Sequence, residues 1–311
     1  MSIHGNRTRY MMPLGTGGSE SDRFAQVADK RNLKEAGKGS IDDVAYLMEG
    51  EEETLRLESK TSPEVVEEQA TWAGILPGMR VADLGCGPGK TTAALHRLVC
   101  PGGSIVGADI SGKRIDHATA HYAREGIDFV CRDIRLPLGE LGEFDFIWIR
   151  FVLEYYRRNA LDIVRNVTRI LRPGGILCLI DLDHNCLNHF GIPHRLERTI
   201  GKCARVLEEK FNFDPYAGRK LYSYLYDLGC EQVSVNVSAH HLIYGVLGDV
   251  DDFNWTKKLE IVSRKAGGAF DEYGGGHEEF MQEFRKFFAD PRRFSYTPVV
   301  SVRGRKGLVD V

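Results

Sequence analysis

The middle of the chain alternates between short apolar runs and longer stretches whose apolar residues recur with helical spacing. Leu161, Val164, Val167, Ile170 and Leu171 lie on one helical face, and this helix is predicted to stop at the Pro-Gly-Gly of 173–175. The apolar runs are predicted strands, at 81–84, 104–108, 127–131, 144–149 and 176–180. Strands that alternate with helices predict an α/β fold with a parallel, doubly wound sheet.

After the fifth predicted strand the pattern changes. Helical spacing fills much of 186–214 and 247–294, which a minimal sheet of this type does not need. Valine alternates with polar residues from Gln232 to Tyr244, which predicts a sixth strand, and Tyr296 to Val302 predicts a last one. Both helical stretches are expected above the carboxyl ends of the parallel strands, where a substrate pocket belongs.

The first strand runs into a glycine-rich turn. Gly85, Gly87 and Gly89 occupy alternate positions, and a helical pattern follows. Glycine lets the chain turn sharply and lets a ligand lie against bare backbone. At the end of a parallel strand, such a turn aims backbone N–H groups and a helix N-terminus at the crevice. A dinucleotide-binding turn would place its third glycine at position 90, where this chain has Lys90.

This turn, with Asp83 before it, resembles motif I of the class I S-adenosylmethionine (SAM) methyltransferases. The resemblance runs from residue 64 to 183 and includes the family's Ile-Leu-Arg-Pro-Gly-Gly turn at 170–175. It implies a Rossmann-like sheet of seven strands, mostly parallel, whose antiparallel last strand inserts between the fifth and sixth. It also implies SAM as the cofactor, S-adenosylhomocysteine as the product, and an enzyme that transfers methyl groups.

Acidic residues at the ends of the second and third strands fit the expected cofactor site. Asp109 follows Gly89 by about twenty residues, the usual distance to a ribose-binding acid. A helix cap for Asp109 and a turn for Asp133 are the structural alternatives. The resemblance implies that Asp109 binds the ribose hydroxyls, that Asp133 binds the adenine amino group, and that Ile110 and Ile134 line the ring. The expected cofactor-binding residues are Asp83, Gly85, Cys86, Gly87, Asp109, Ile110, Asp133, Ile134, Arg150 and Tyr46.

Methyl transfer depends mainly on aligning the nucleophile with the methyl group and on excluding water. A general base helps when the acceptor is a phenol, an enol or an ammonium. The candidates are His184, which is the best placed in the sequence, Glu154 and Tyr155; a structural role is the alternative for a lone histidine. No metal is expected, because Arg150 stands where catechol-type relatives have a carboxylate, and the Glu-x-x-Glu-His run of metal-binding quinone O-methyltransferases is not matched.

Patterning also divides the chain into segments. The first, 1–40, is polar without apolar periodicity and is expected to be a flexible tail. The other expected segments are an N-terminal helical lid (41–62), the SAM-binding core (63–185), a helical insertion (186–214), the continued core (215–246), a helical insertion that caps the substrate (247–294), and the last strand with its tail (295–311).

Composition limits the partners. The net charge of −3 gives no reason to expect a nucleic-acid or anionic-membrane partner. No apolar run reaches the ~18 to 20 residues of a membrane span. Seven cysteines without paired spacing, and no signal peptide, fit a reducing cytoplasm. The expected partner is a small-molecule methyl acceptor buried under the insertions, and the oligomeric state stays open between monomer and homodimer.

Two other functions remain open at this point. One is a SAM-binding sensor or scaffold that transfers no methyl group. The other is a tRNA- or protein-directed methyltransferase, which would need a basic groove; Arg292, Arg293 and the basic residues at 303–306 provide little of one. Release of S-adenosylhomocysteine in the presence of a metabolite extract separates catalysis from mere cofactor binding.

Overall fold

The computed structural model of the protein describes residues 57–58 and 61–308. The predicted tail 1–40, Tyr46 and most of the predicted lid 41–62 therefore lie outside the described residues, and their roles stay predictions.

A single mixed sheet forms the centre of the described chain and contains eight strands. In chain order, β1 to β8 are Arg80–Leu84, Ser104–Asp109, Ile127–Cys131, Phe144–Arg150, Leu171–Leu182, His189–Phe190, Glu231–Tyr244 and Phe294–Arg305. The spatial order is β3-β2-β1-β4-β5-β8, with the first five strands parallel. β8 runs antiparallel between β5 and β7, which confirms the expected doubly wound topology.

Helices cover both faces of this sheet and extend above it. In chain order, α1 to α8 are Pro63–Ala73, Lys90–Val99, Gly112–Tyr122, Ala160–Thr168, His194–Lys210, Leu221–Asp227, Asp249–Ala266 and Gly276–Ala289. The start of α1 follows its sequence signals: Ser62 Oγ accepts a hydrogen bond from the Val65 backbone N–H at 3.2 Å, and Pro63 opens the helix.

Alternating side chains of the central strands fill two separate cores. In β4, Phe146 and Trp148 belong to the core on one face, and Ile147 and Ile149 to the core on the other. A third cluster of buried apolar residues, which we call the cap core, joins α5, α7 and α8 and includes Trp255, the aromatic residue of α7 that is only 2% exposed. The helices of the two insertions therefore pack mainly on one another, and we call them together the cap.

Two local features differ from the prediction. The helical stripe was expected to continue to Leu171, but α4 ends at Thr168 and Leu171 already belongs to β5. The Pro-Gly-Gly segment is paired rather than free: the Gly174 N–H donates to the Lys306 carbonyl, and the Lys306 N–H donates to the Gly175 carbonyl, both at 2.9 Å. The second difference is β6, two residues that pair with the start of β8 and were not predicted.

Candidate functional site

Two pockets lie side by side at the carboxyl ends of the parallel strands. The glycine pocket, about 850 Å³ including its open mouth, lies over the turn after β1. The cap pocket, about 1180 Å³ including its open mouth, lies between the sheet and the cap. Five residues line both pockets: Leu57, Thr61, Arg150, Phe151 and Tyr155. The two pockets are therefore direct neighbours.

The glycine turn forms the floor of the glycine pocket in a conformation that requires glycine. Gly85, Gly87 and Gly89 have φ values of 84°, 56° and 97°. A Cβ at Gly85 would lie 2.3 Å from Cγ2 of Val152, so a side chain there would collide with the segment after β4. The turn thus presents backbone to the pocket, as the sequence predicted.

Asp109 is the last residue of β2 and lines this pocket next to the glycine turn. It is 5% exposed, and its carboxylate accepts hydrogen bonds at 2.9 Å from the backbone N–H groups of Gly87 and Ser111. Arg114 lies 3.6 Å from the same carboxylate. These contacts hold the charge in a defined position. Ile110 and Ile134 line the pocket beside Asp109, together with the predicted Gly85, Cys86, Gly87 and Arg150.

Asp83 and Asp133 lie behind or beside the pocket and not among its described lining residues. Asp83 is 2% exposed and accepts a hydrogen bond from Thr92 Oγ1 at 2.6 Å; burial raises its pKa to about 7. Asp133 forms a bidentate pair with Arg135, whose Nη2 lies 2.7 Å from Oδ2. The structure thus places neither carboxylate in the wall, and their direct contact with a cofactor stays a prediction.

Arg150 and Phe151 form the wall between the pockets. The Arg150 Nε donates to Gln69 Oε1 at 3.1 Å, and its guanidinium lies 4.1 Å from the centre of the Phe151 ring. Burial lowers the pKa of Arg150 to about 10, which still leaves it charged near neutral pH. The backbone of Phe151 has φ 59°, a value that residues other than glycine rarely adopt.

The cap pocket is largely apolar, but one side of it carries a hydrogen-bonded polar group. Glu154 is 4% exposed, and its Oε2 accepts from Asn185 Nδ2 at 2.7 Å. The Asn185 Oδ1 in turn accepts from Lys258 Nζ at 2.6 Å. We call these three residues the polar wall. Tyr155, the other predicted candidate after β4, lines both pockets and packs 5.7 Å from the Phe213 ring.

His184 is placed differently from the expectation. Its backbone has φ 49°, its ring packs edge-on at 5.2 Å against Tyr216, and it is absent from the described lining of both pockets. Among the described residues, His184 thus lines neither pocket, and its role as a base stays a prediction. The next residue, Asn185, lines the cap pocket.

Sequence reasoning missed the roles of Asn185 and Lys258 in the pocket. Asn185 belongs to the polar run that follows β5, so its neighbourhood was predictable although its orientation was not. Lys258 was predicted to lie on a helix, but the face of α7 that meets the sheet depends on how the cap folds. No local signal in the chain carries that information.

Among residues 57–58 and 61–308, no three His, Cys, Asp or Glu side chains come together in a way that could hold a metal ion. Metal independence of the reaction stays a prediction.

Within the described part of the chain, none of the helices has the length and apolar character needed to cross a membrane.

Comparison with known proteins agrees with this geometry. The sequence model of the family described as "Methyltransferase domain" matches residues 82–179. The chain is 30% identical to a demethylmenaquinone methyltransferase of Lactococcus lactis over 212 residues, which cover 65% of this chain and 72% of that protein. It is 28% identical to a ubiquinone biosynthesis O-methyltransferase of Coxiella burnetii over 138 residues, which cover 44% of this chain and 56% of the relative.

Solved structures resemble the fold. The YcgJ protein of Bacillus subtilis aligns with a TM-score of 0.52 at 15% identity, over 79% of this chain and 99% of that one. At this identity the likeness concerns the fold alone. The glycine turn, the acid that closes β2 and the extent of the match to the Lactococcus protein together give one conclusion: this chain belongs to the class I SAM-dependent methyltransferases.

Proposed function

We propose that this protein transfers a methyl group from SAM, bound in the glycine pocket, to an apolar small molecule bound in the cap pocket. The observation that carries the proposal is the wall shared by the two pockets. Because Arg150, Phe151 and Tyr155 line both, a donor and an acceptor can meet there while the cap keeps water away.

The residues of the glycine pocket fit SAM. Bare backbone at Gly87 leaves room for close approach, and the buried Asp109 carboxylate provides acceptors for sugar hydroxyls. The apolar side chains of Ile110 and Ile134 suit the two faces of a base. When bound, SAM supplies a methyl group attached to a positively charged sulfur. The sulfur keeps the electron pair of the broken C–S bond and becomes part of S-adenosylhomocysteine.

The chain's own contribution is to position and desolvate the reactants. Arg150 is held by Gln69 and Phe151, so the shared wall keeps one shape. The cap pocket encloses the acceptor between α5, α7 and the end of β5, mainly with aliphatic and aromatic side chains. Alignment at a short distance in a dry site accounts for much of the rate of such displacements.

The acceptor we propose is an apolar ring compound. The name of the Lactococcus relative refers to demethylmenaquinone and that of the Coxiella relative to ubiquinone biosynthesis, and an apolar pocket of this size suits quinone-like rings. We also assign the reaction to the cytoplasm, because all seven cysteines lie in the described part of the chain and are free thiols.

Two measurements test the proposal. Titration calorimetry with S-adenosylhomocysteine should give one binding site per chain. Incubation with SAM and a cellular metabolite extract should then release S-adenosylhomocysteine, measured by mass spectrometry, above the level of the heat-denatured protein. Binding without release would indicate a sensor or scaffold, and absence of binding would contradict the cofactor site.

A further inference from the structure

The polar wall of the cap pocket is a connected set of charged and polar side chains in otherwise apolar surroundings. Asn185 lies between the other two members: its amide nitrogen donates to Glu154, and its amide oxygen accepts from Lys258. Glu154 and Asn185 are 4% and 5% exposed. Burying polar groups is costly even when they are paired with one another. Their presence in the lining of an apolar pocket, next to the shared wall, therefore points to a role in the reaction.

The main chain of Glu154 is fixed on both sides. It belongs to the short turn Leu153–Tyr155 after β4. Its N–H donates to Asp181 Oδ2 at 3.0 Å, and its carbonyl accepts from the Asp214 N–H at 2.7 Å. The backbone is thus fixed, and the bond from Asn185 together with burial holds the side chain, so the carboxylate lies in the lining of the cap pocket.

A second buried carboxyl group, that of Asp181, lies beside the turn that carries Glu154 and accepts a hydrogen bond from its backbone N–H. Asp181 is fully buried, and burial together with the neighbouring Glu154 carboxylate raises its pKa well above the ordinary value. The other titratable or charged groups near Glu154 are Arg150, Tyr155, Asp214 paired with Lys220, His240 and Lys258.

Lys258 brings the opposite charge from the cap. It lies on α7, and its ammonium also faces the Trp255 ring at 5.9 Å. The link through Asn185 therefore connects the cap to the turn after β4. With the cap in this position, Lys258 orients the Asn185 amide, and that amide orients the Glu154 carboxylate.

We propose that Glu154 is the base that receives the proton from a hydroxyl group of the acceptor, and that Asn185 and Lys258 are positioning residues that hold its carboxylate ready. This inference rests on the proposed function and specifies its acceptor as an apolar compound with a weakly acidic hydroxyl. The O–H bond of the acceptor breaks, its electron pair stays on oxygen to take up the methyl group, and the proton bonds to a Glu154 carboxylate oxygen.

The first test measures binding of a hydroxyl probe. Titration calorimetry in the presence of S-adenosylhomocysteine compares 1-naphthol with 1-methoxynaphthalene, which has the same ring but no donor. We expect 1-naphthol to bind about ten- to a hundredfold more tightly to the unaltered protein, because its hydroxyl donates to a carboxylate. In Glu154→Gln the preference should fall below about threefold. Equal binding of the two compounds, or no binding of 1-naphthol, would overturn the proposal.

The second test measures the protonation of Glu154 itself, without any acceptor. Difference infrared spectra follow the carboxyl band that disappears in Glu154→Gln. Lys258→Met should shift the midpoint of this titration to higher pH, since the nearby cation favours the charged carboxylate. Lys258→Arg, which keeps the cation, should restore the original midpoint. A midpoint that does not respond to Lys258→Met would refute the positioning role.

The two proposals fail separately. If S-adenosylhomocysteine does not bind the unaltered protein, the proposed function fails. If it binds normally but the two probes and the infrared band do not depend on Glu154 and Lys258, only the present inference fails. Glu154→Gln conserves volume and removes a charge next to Asp181, so we expect it to fold.

Discussion

At the scale of single residues, Asp109 has two tasks. It accepts hydrogen bonds from the backbone of the glycine turn and from the start of the segment that leads into α3, so it fixes the shape of the glycine pocket. The same carboxylate is proposed to bind the sugar hydroxyls of the cofactor. A neutral replacement therefore weakens both the pocket and its contact with the ligand.

We predict that Asp109→Asn lowers the affinity for S-adenosylhomocysteine by about ten- to a hundredfold, the ~1.5 to 3 kcal/mol of hydrogen bonds to a charged group. Titration calorimetry measures the change. Asp128→Asn, which removes an exposed carboxylate from the neighbouring strand β3, is the matched control and should bind normally. An unchanged affinity in Asp109→Asn would remove Asp109 from the cofactor site.

The sequence predicted the residues of the glycine pocket better than those of the cap pocket. Gly85, Gly87 and Asp109 lie at strand ends, and the carboxyl ends of parallel strands necessarily meet at one edge of the sheet. Asn185 and Lys258 meet across 73 residues of chain. Their contact depends on the packing of the cap, which periodicity alone does not determine.

At the scale of elements, the two-residue strand β6 attaches the cap to the sheet. His189 pairs with Ser295 of β8, and its ring packs edge-on against Trp255 and Phe287, which belong to α7 and α8. Its nitrogens face Ser295 Oγ at 2.8 Å and the Cys186 carbonyl at 3.1 Å. A neutral imidazole satisfies both partners, since one nitrogen donates and the other accepts.

Burial lowers the pKa of His189 to about 4, below the ordinary value of 6.5. Between these two values the unfolded chain binds more protons than the folded one, so acid favours unfolding. We predict that the free energy of unfolding falls by up to about 3 kcal/mol from this residue as the pH is lowered from 6.5 to 4.

Urea denaturation at several pH values between 7 and 4.5 measures this dependence. In His189→Gln the slope of stability against pH should be smaller. His194→Gln, which alters a side chain that is 93% exposed, should keep the original slope. Equal slopes in all three proteins would mean that other groups cause the acid sensitivity.

The strands show what the sequence could predict at this scale. The run from Phe144 to Ile149 is apolar except for Asp145 because the strand is covered on both faces, and this pattern is visible without a structure. β6 is too short to carry any periodicity and is defined only by its partner. The extension of β5 through Pro173 was hidden because Pro-Gly-Gly ordinarily ends an element, whereas here a chain segment more than a hundred residues away pairs with it.

At the scale of the whole molecule, the cap core is separate from the two cores of the sheet. Phe280 is central to it: the side chain is fully buried, lies 5.1 Å from the Phe270 ring and lines the cap pocket. We therefore expect the cap to loosen before the sheet and the glycine pocket do.

We predict that Phe280→Ala destabilises the cap by roughly 3 to 5 kcal/mol, as large-to-small changes of buried phenylalanine do. Hydrogen exchange should accelerate in α5, α7 and α8, while the affinity for S-adenosylhomocysteine changes less than twofold. Phe146→Ala, in the core of the sheet, is the control. It should lower the stability of the protein and also its affinity for S-adenosylhomocysteine. Equal acceleration in α2 and α3 of Phe280→Ala would show that the cap and the sheet unfold together.

The independence of the cap core also bears on how such enzymes diverge. Substitutions inside α5, α7 and α8 can reshape the chamber for the incoming compound without touching the strand ends that handle the methyl donor. A chimaera that exchanges these helices with those of a related protein would inherit a new chemical preference and retain its original donor. Substitutions in the cap can thus change the range of accepted compounds while the fold of the sheet is conserved.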